Sequence, residues 1–530
     1  MTQQSAHSTP PPEADLVEAA GYPPGRGVPK RAYDPRLTNE DLAPLKEQRW
    51  GAYNIFAFWM SDVHSVGGYV TMGALFAIGL NAWQVFACLI VGICIVQFFV
   101  NLVAKPSQIA GVAYPVTSRA SFGVLGANIP AIVRGLIAVA WYGVQTFLAA
   151  ESLIIVFVRL APDWSASMLS HSFLGLSALG YLCYAILWVL QALLFWRGMD
   201  MIRTFVDYAG PAVYVVMVVL CGYLLVKADF DIDLNFSTEQ LHGWALVWAM
   251  CGAVAAVVSY FSGPMLNFGD FSRYASSYEK VKRGNLLGLP LNFMFFSLLT
   301  VLTAAATLPV YGKLMTDPIE TVNALDNTYA IVLGGITFVI ATIGINIVAN
   351  FISPAFDFSH VAPQRISWFA GGMIAAVGSV LVTPWNWYAN DDAIFWTLGI
   401  LGGLIGPLFG ILIADYYLIR QQRIVVDDLF TMEEDGEYWY TNGTNRAAVY
   451  ALAVSGALSL GSVVVPKVLD LMAADGTSPI DWITKYSWFI GCGAGFAAYY
   501  VIALAMNVAG SADRRALARS TSGTSAAAAA

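Results

Sequence analysis

FWMSDVHSVGGYV (58–70) and YFSGPMLNFGDF (260–271) are apolar stretches interrupted by glycine or proline and by polar groups. The first carries Asp62, His64, Ser65, Gly67 and Gly68; the second carries Gly263, Pro264, Asn267 and Asp270. In hydrocarbon an unpaired backbone N–H or C=O is costly, so a spanning helix breaks only where protein or a polar cavity receives the freed groups. Two such breaks, each opening a set of apolar segments, are the pattern of a secondary transporter with its site near the membrane midplane. The helix breaks are expected at Gly67–Gly68 and Gly263–Pro264.

Outward from these stretches the chain keeps the same character. Of 530 residues 58% are hydrophobic and 12% charged, against roughly 25% charged in soluble proteins. Apolar runs of about 20 residues, each long enough to cross a bilayer core, number twelve, centred near 63, 93, 143, 185, 215, 255, 297, 340, 376, 405, 457 and 498. With both ends cytoplasmic, Lys105, Arg197, Arg203, Lys280, Lys282, Arg283, Arg365, Arg420, Arg423 and Arg446 fall on the inner side. Arg159, Lys227, Lys313, Lys467 and Lys485 fall outside. That asymmetry obeys the positive-inside rule, and slipping the count by one span destroys it. The expected location is the cell membrane.

The net charge of −8 carries no message about partners, because the acids cluster in loops. No basic stretch interleaved with aromatics points to nucleic acid. The six cysteines (Cys88, Cys94, Cys183, Cys221, Cys251, Cys492) lie in apolar runs without C-x-x-C spacing, which reads as small hydrophobes and neither metal ligands nor disulfides. No cofactor, no metal and no obligate protein partner is expected; the partners are the lipid bilayer and a small molecule.

Residues 1–46, rich in Pro, Gly and charge, read as a mobile cytoplasmic tail, with LTNEDLAPL (37–45) able to form a capped turn. The transporter domain is expected over 47–510, and 511–530 ends in Ser/Thr/Ala low complexity of disordered type. Within the domain, spans one to five and six to ten each open with a broken span. An odd number of spans per half inverts the second half relative to the first. The expected fold is all-α and membrane-embedded: inverted five-helix repeats with helices 1 and 6 broken, plus two extra helices.

Polar groups inside apolar spans are candidate ligands. In AWYGVQTF, Trp141 and Gln145 are four residues apart and share a helix face. An indole beside a carboxamide suits a flat heterocycle, the ring stacking while the amide pairs with a lactam edge. The plain alternative is a Trp at a helix interface and a Gln bonded to a neighbouring helix. Asn346 and Asn350 share a face of the eighth span in the same way, with interhelical glue as their alternative. Ser65 sits at the first break, with Asp62 and His64 just before it; an acid and an imidazole at membrane depth suggest proton handling, since His titrates near neutral pH. Their alternatives are an aqueous vestibule for Asp62 and a freed backbone carbonyl for His64. Phe261 offers an aromatic face in the second break, and an interfacial salt bridge or cap suits Asp270 and Arg273.

WYGVQT (141–146), NFGDFSRYA (267–275), ANFISPAFD (349–357) and GGLIGPLFGILIADYYLIR (402–420) together resemble the nucleobase:cation symporter-1 family of hydantoin, allantoin, uracil and cytosine permeases. The likeness runs from NEDLAPL at 39–45 to about residue 510. It implies alternating access, with Trp141 on one face of the substrate ring and Phe261 on the other. It also implies that Gln145 and Asn350 bind the amide edge, with Ser65 near it. Sodium-coupled members use carbonyls equivalent to those of Ser61, His64 and Ala341, together with two hydroxyls at the positions of Gly344 and Ile345. Neither of those side chains offers oxygen, and Na⁺ is a hard cation that wants oxygen ligands. The resemblance therefore points to coupling by protons, through Asp62 or His64, or to uncoupled uptake.

Uracil leads the expected substrates, with allantoin or a hydantoin next. An amino-acid transporter on the same scaffold is the runner-up; it would turn broken-helix ends toward a carboxylate and need no paired aromatic faces. An enzyme would need a nucleophile–base pair or ligand cluster, and the histidines at 7, 64, 171, 242 and 360 are scattered.

Overall fold

The structure, a computed structural model, describes residues 32–235, 241–387, 391–472 and 480–508. Nearly all of it is helix; two short paired strands, Ser172–Phe173 and Leu176–Ser177, form its one sheet among the described residues. Among the described residues ten helices are long and apolar enough to cross a membrane. In chain order these are spans 2 (Ala82–Ala110), 3 (Asn128–Leu160), 4 (Ala178–Trp196), 5 (Thr204–Lys227), 6 (Gly243–Leu266), 7 (Tyr278–Tyr311), 8 (Thr328–Val361), 10 (Asp392–Ile419), 11 (Arg446–Asp470) and 12 (Trp482–Ala505). Where spans 1 and 9 are expected lie a broken helix (Ala52–Val63, then Val66–Ala74) and the shorter Trp368–Leu381.

Packing pairs the two halves symmetrically. Spans 2 and 7, 3 and 8, and 4 and 9 touch each other, and these are equivalent members of the two sets of five. Span 1 packs on span 5 as span 6 packs on span 10, and span 3 on span 4 as span 8 on span 9. A two-fold relation between the halves requires this pattern. Spans 10, 11 and 12 form a packed group of their own.

Both interruptions lie beside the expected residues. Span 1 breaks at His64–Ser65, and Gly67 and Gly68 are inside the second segment, whose first turn Ser65 caps by accepting from Gly68 N at 2.9 Å. Gly67 serves close approach: a Cβ there would sit 2.8 Å from Gln145 Nε2. Span 6 runs through Gly263 and Pro264 and ends at Leu266, with Asn267 as its cap. Pro264 lacks the N–H that would bond the Tyr260 carbonyl, which loosens the turn without ending the helix.

Residues 34–45 fold onto the face that carries the basic loops: Leu37 and Leu42 are buried, and Asn39 Oδ1 accepts from Asp41 N and Leu42 N. Asn39 Nδ2 reaches Ser359 Oγ at 2.8 Å, and Arg273 donates to the carbonyls of Asp41 and Ala43. Two apolar side chains and a self-capped turn are enough to dock the segment. The C-terminal tail and residues 1–31 lie outside the described residues.

Candidate functional site

The break in span 1 meets spans 3 and 6 at one cluster. Gln145 Nε2 donates to the Tyr260 hydroxyl at 3.4 Å, and that hydroxyl lies 3.0 Å from Ser65 Oγ. The Trp141 and Tyr260 rings meet edge to face, centroids 5.5 Å apart at 84°. All four side chains are buried, and Gln145 Oε1 has no partner. A buried amide oxygen without a donor is costly in a folded protein and is what a ligand N–H would satisfy. Ser65 stands at a helix N-terminus, whose partial positive charge favours an approaching carbonyl oxygen.

Phe261 points elsewhere than expected. Its ring contacts are with Tyr260 at 5.2 Å and with Phe293 of span 7 at 5.4 Å. Residues adjacent on a helix diverge by about 100°, so once Phe261 packs on span 7 it is Tyr260 that turns to Trp141.

The two asparagines of span 8 also part ways. Asn346 Nδ2 is shared among Tyr142 O, Thr146 Oγ1 and Gln191 Oε1 at 2.7–3.1 Å, and its Oδ1 accepts from Asn350 Nδ2 at 3.1 Å. Its polar capacity is spent inside the protein, so it acts as interhelical glue. Asn350 lies in a π-helical turn, Val348–Ile352, a local widening common at functional sites, and its Oδ1 carries no hydrogen bond.

Toward the basic face the cluster gives way to buried charge: Asp62 and Asp270, which the sequence offers as candidates, and Arg134 and Asp357, which it does not single out. Arg134 of span 3 donates to Asn267 Oδ1 at 3.3 Å and to Ala349 O at 3.2 Å. Its charged neighbours are Asp357, Asp270 and Asp62. Asp270 accepts from Tyr114 N and Asn267 Nδ2, a cap as expected, whereas both oxygens of Asp62 and of Asp357 are buried without partners. His64 faces the other way, its ring edge-on to Tyr214 at 3.9 Å and against Phe296 at 5.1 Å. An Arg seven residues before Trp141 and an Asp seven after Asn350 lie on the same helix faces as those residues, and that spacing was the available signal.

At the expected sodium position, Ser61 and Gly344 face one another. A Cβ added at Gly344 would lie 3.8 Å from Ser61 Cβ and from Phe205 Cε1. The Ser61 hydroxyl donates to Val206 O at 3.4 Å. Gly344 and Ile345 offer no side-chain oxygen to this region. Among the described residues no group of three His, Cys, Asp or Glu could hold a metal ion.

Residues 43–491 match the family described as permeases for cytosine/purines, uracil, thiamine and allantoin. The chain belongs to this permease family. It is a multi-pass membrane transporter and not an enzyme. The allantoin permease of Bacillus subtilis is 32% identical over 470 residues, covering 88% of this chain and 93% of that one. A purine-uracil permease of Arabidopsis thaliana is 30% identical over 457 residues, covering 84% and 74%. In fold the permease is similar to Mhp1, a nucleobase-cation-symport-1 family transporter solved closed with bromovinylhydantoin bound: TM-score 0.69, 21% identity, covering 90% of this chain and 96% of Mhp1.

Proposed function

We propose that this permease imports a neutral, planar lactam or ureide across the cell membrane by alternating access, driven by protons, with both termini cytoplasmic. The observation that carries the reading is the unpartnered Gln145 Oε1 beside the Trp141 ring, at the point where spans 1, 3 and 6 converge. The indole face holds the flat ring, Gln145 accepts a ring N–H, and Asn350 Oδ1 serves a second N–H. The break at His64–Ser65 is the hinge about which the span-1 segments move. Allantoin moves ahead of uracil as the favoured substrate, because the Bacillus relative matched along nearly its whole length is an allantoin permease. Hydantoins follow.

Proton coupling is favoured by the side chains opposite Ser61. Gly344 and Ile345 offer no oxygen to Na⁺, and Asp62 holds a buried carboxyl with no hydrogen-bond partner. The test is uptake of labelled allantoin and of labelled uracil into proteoliposomes, under a sodium gradient and then a proton gradient. Accumulation with protons alone is expected. Accumulation that requires sodium would overturn the coupling assignment, and failure of both substrates to enter would overturn the substrate class.

A further inference from the structure

The family resemblance assigns no role to Tyr260, yet its side chain is the one through which the broken span, span 3 and span 6 are joined. It bonds to Ser65 on one side and Gln145 on the other, and its ring closes against Trp141.

Counting hydrogens defines what this leaves for a ligand. Ser65 Oγ accepts from Gly68 N, and Tyr260 Oη accepts from Gln145 Nε2. The two hydroxyls share one hydrogen bond between them. Whichever of them donates in it, the other's hydrogen remains for a third partner. One free hydroxyl donor therefore stands beside one free amide acceptor, Gln145 Oε1. A lactam presents the complement of that pair, a C=O next to an N–H.

We propose that Ser65 donates to Tyr260 and that the Tyr260 hydroxyl in turn donates to the substrate carbonyl. The proposal rests on the lactam reading of the site and names the donor that meets the carbonyl.

The test is titration of the purified full-length protein with allantoin, uracil and 2,4-dithiouracil, read by tryptophan fluorescence, for wild type and Tyr260→Phe. Wild type is expected to bind allantoin or uracil. Tyr260→Phe keeps the ring and should weaken allantoin and uracil about tenfold, the equivalent of one hydrogen bond, while dithiouracil, whose thiocarbonyls are weak acceptors, should lose little. A purely structural tyrosine would lower all three affinities in parallel; that result, or no change in Tyr260→Phe, overturns the proposal alone. If wild type binds none of the three, the lactam reading falls and this proposal falls with it.

Discussion

Asn350 Nδ2 donates to Asn346 Oδ1 at 3.1 Å, so the residue that spans 3 and 4 hold rigid is the one that orients its neighbour toward the site. The two side chains are chemically identical and one turn apart, yet their substitution should have opposite signatures. Asn346→Ala removes bonds to Tyr142, Thr146 and Gln191 together. At about 0.6 kcal/mol for an average interhelical bond in a membrane protein, the loss should be about 2 kcal/mol, read as a lower melting temperature in detergent. Asn350→Ala should melt as wild type does and lose binding. Equal melting temperatures for both variants would contradict this division.

Gly67 and Gln145 make a second coupled pair. A Cβ at residue 67 would lie 2.8 Å from Gln145 Nε2 and 3.0 Å from Oε1, so Gly67→Ala must push the amide aside. Gln145→Ala should cost about 1–3 kcal/mol of substrate binding, and Gly67→Ala should cost a similar amount. In the Gln145→Ala background the three atoms nearest the added methyl are gone, so the double variant should bind no worse than Gln145→Ala alone. Additive losses in a double-mutant cycle would show that Gly67 acts through the helix break and not through the amide.

Much of this site could be read from spacing. Trp141 and Gln145 share a face because they are four residues apart, and the structure brings both to the break in span 1. Spacing could not choose between Tyr260 and Phe261, since adjacent rings on a helix point to different neighbours and only Phe293 of span 7 decides which. Nor could it separate Asn346 from Asn350, because the π-turn that sets them apart has no side-chain signature of its own. The glycines misled for a related reason. Gly67 suits a break and a close approach equally well, and its role depends on Gln145, a residue 78 positions away. The twelve apolar runs and the broken spans, by contrast, follow from length and hydropathy, which membrane solvation enforces locally.

Arg420 closes a buried ion network. It bonds to Asp415 at 2.8 Å, Glu437 at 2.9 Å and the Ala120 carbonyl at 2.8 Å, while Asp415 also accepts from Ser121 and Tyr499. Span 10, the helix Tyr114–Phe122 and the loop carrying Glu437 thus share one guanidinium, and span 12 joins them through Tyr499 and Asp415. Removing one partner of a buried pair costs about 3–5 kcal/mol. Arg420→Ala should therefore sharply reduce the yield of monodisperse protein on size-exclusion chromatography. Arg420→Lys should rescue little, because one ammonium cannot reproduce the fork. Full recovery with lysine would mean that charge alone matters.

Sodium dependence should be installable. A Cβ at Gly344 would be in ordinary contact with Ser61 and Phe205, both at 3.8 Å, so a serine fits without displacing either. Gly344→Ser with Ile345→Ser would place two hydroxyls opposite the Ser61 and His64 carbonyls and bring the oxygen count toward what Na⁺ requires. The double variant should show uptake stimulated by an inward sodium gradient, and wild type should not. Sodium indifference in a folded, transporting double variant would mean that the backbone carbonyls are not arranged as a cation cradle.

Proton coupling, finally, should depend on Asp62 and not on His64. The two lie two residues apart, but the helix turns them to different surroundings. The His64 ring is closed off by Tyr214 and Phe296, with neither nitrogen bonded. The Asp62 carboxyl is buried near Arg134, on the side where spans 3, 6 and 8 meet. A carboxyl that takes a proton from one side and releases it to the other is neutral while substrate crosses, so wild-type accumulation should rise as the pH outside falls. Asp62→Asn mimics the neutral form permanently: counterflow exchange of labelled substrate should survive, while accumulation against a gradient and its pH dependence are lost. His64→Phe keeps the ring contacts and should retain both. Were His64→Phe to abolish pH-dependent accumulation while Asp62→Asn preserved it, the imidazole would be the proton carrier, and the span-1 hinge would be driven from the side of spans 5 and 7.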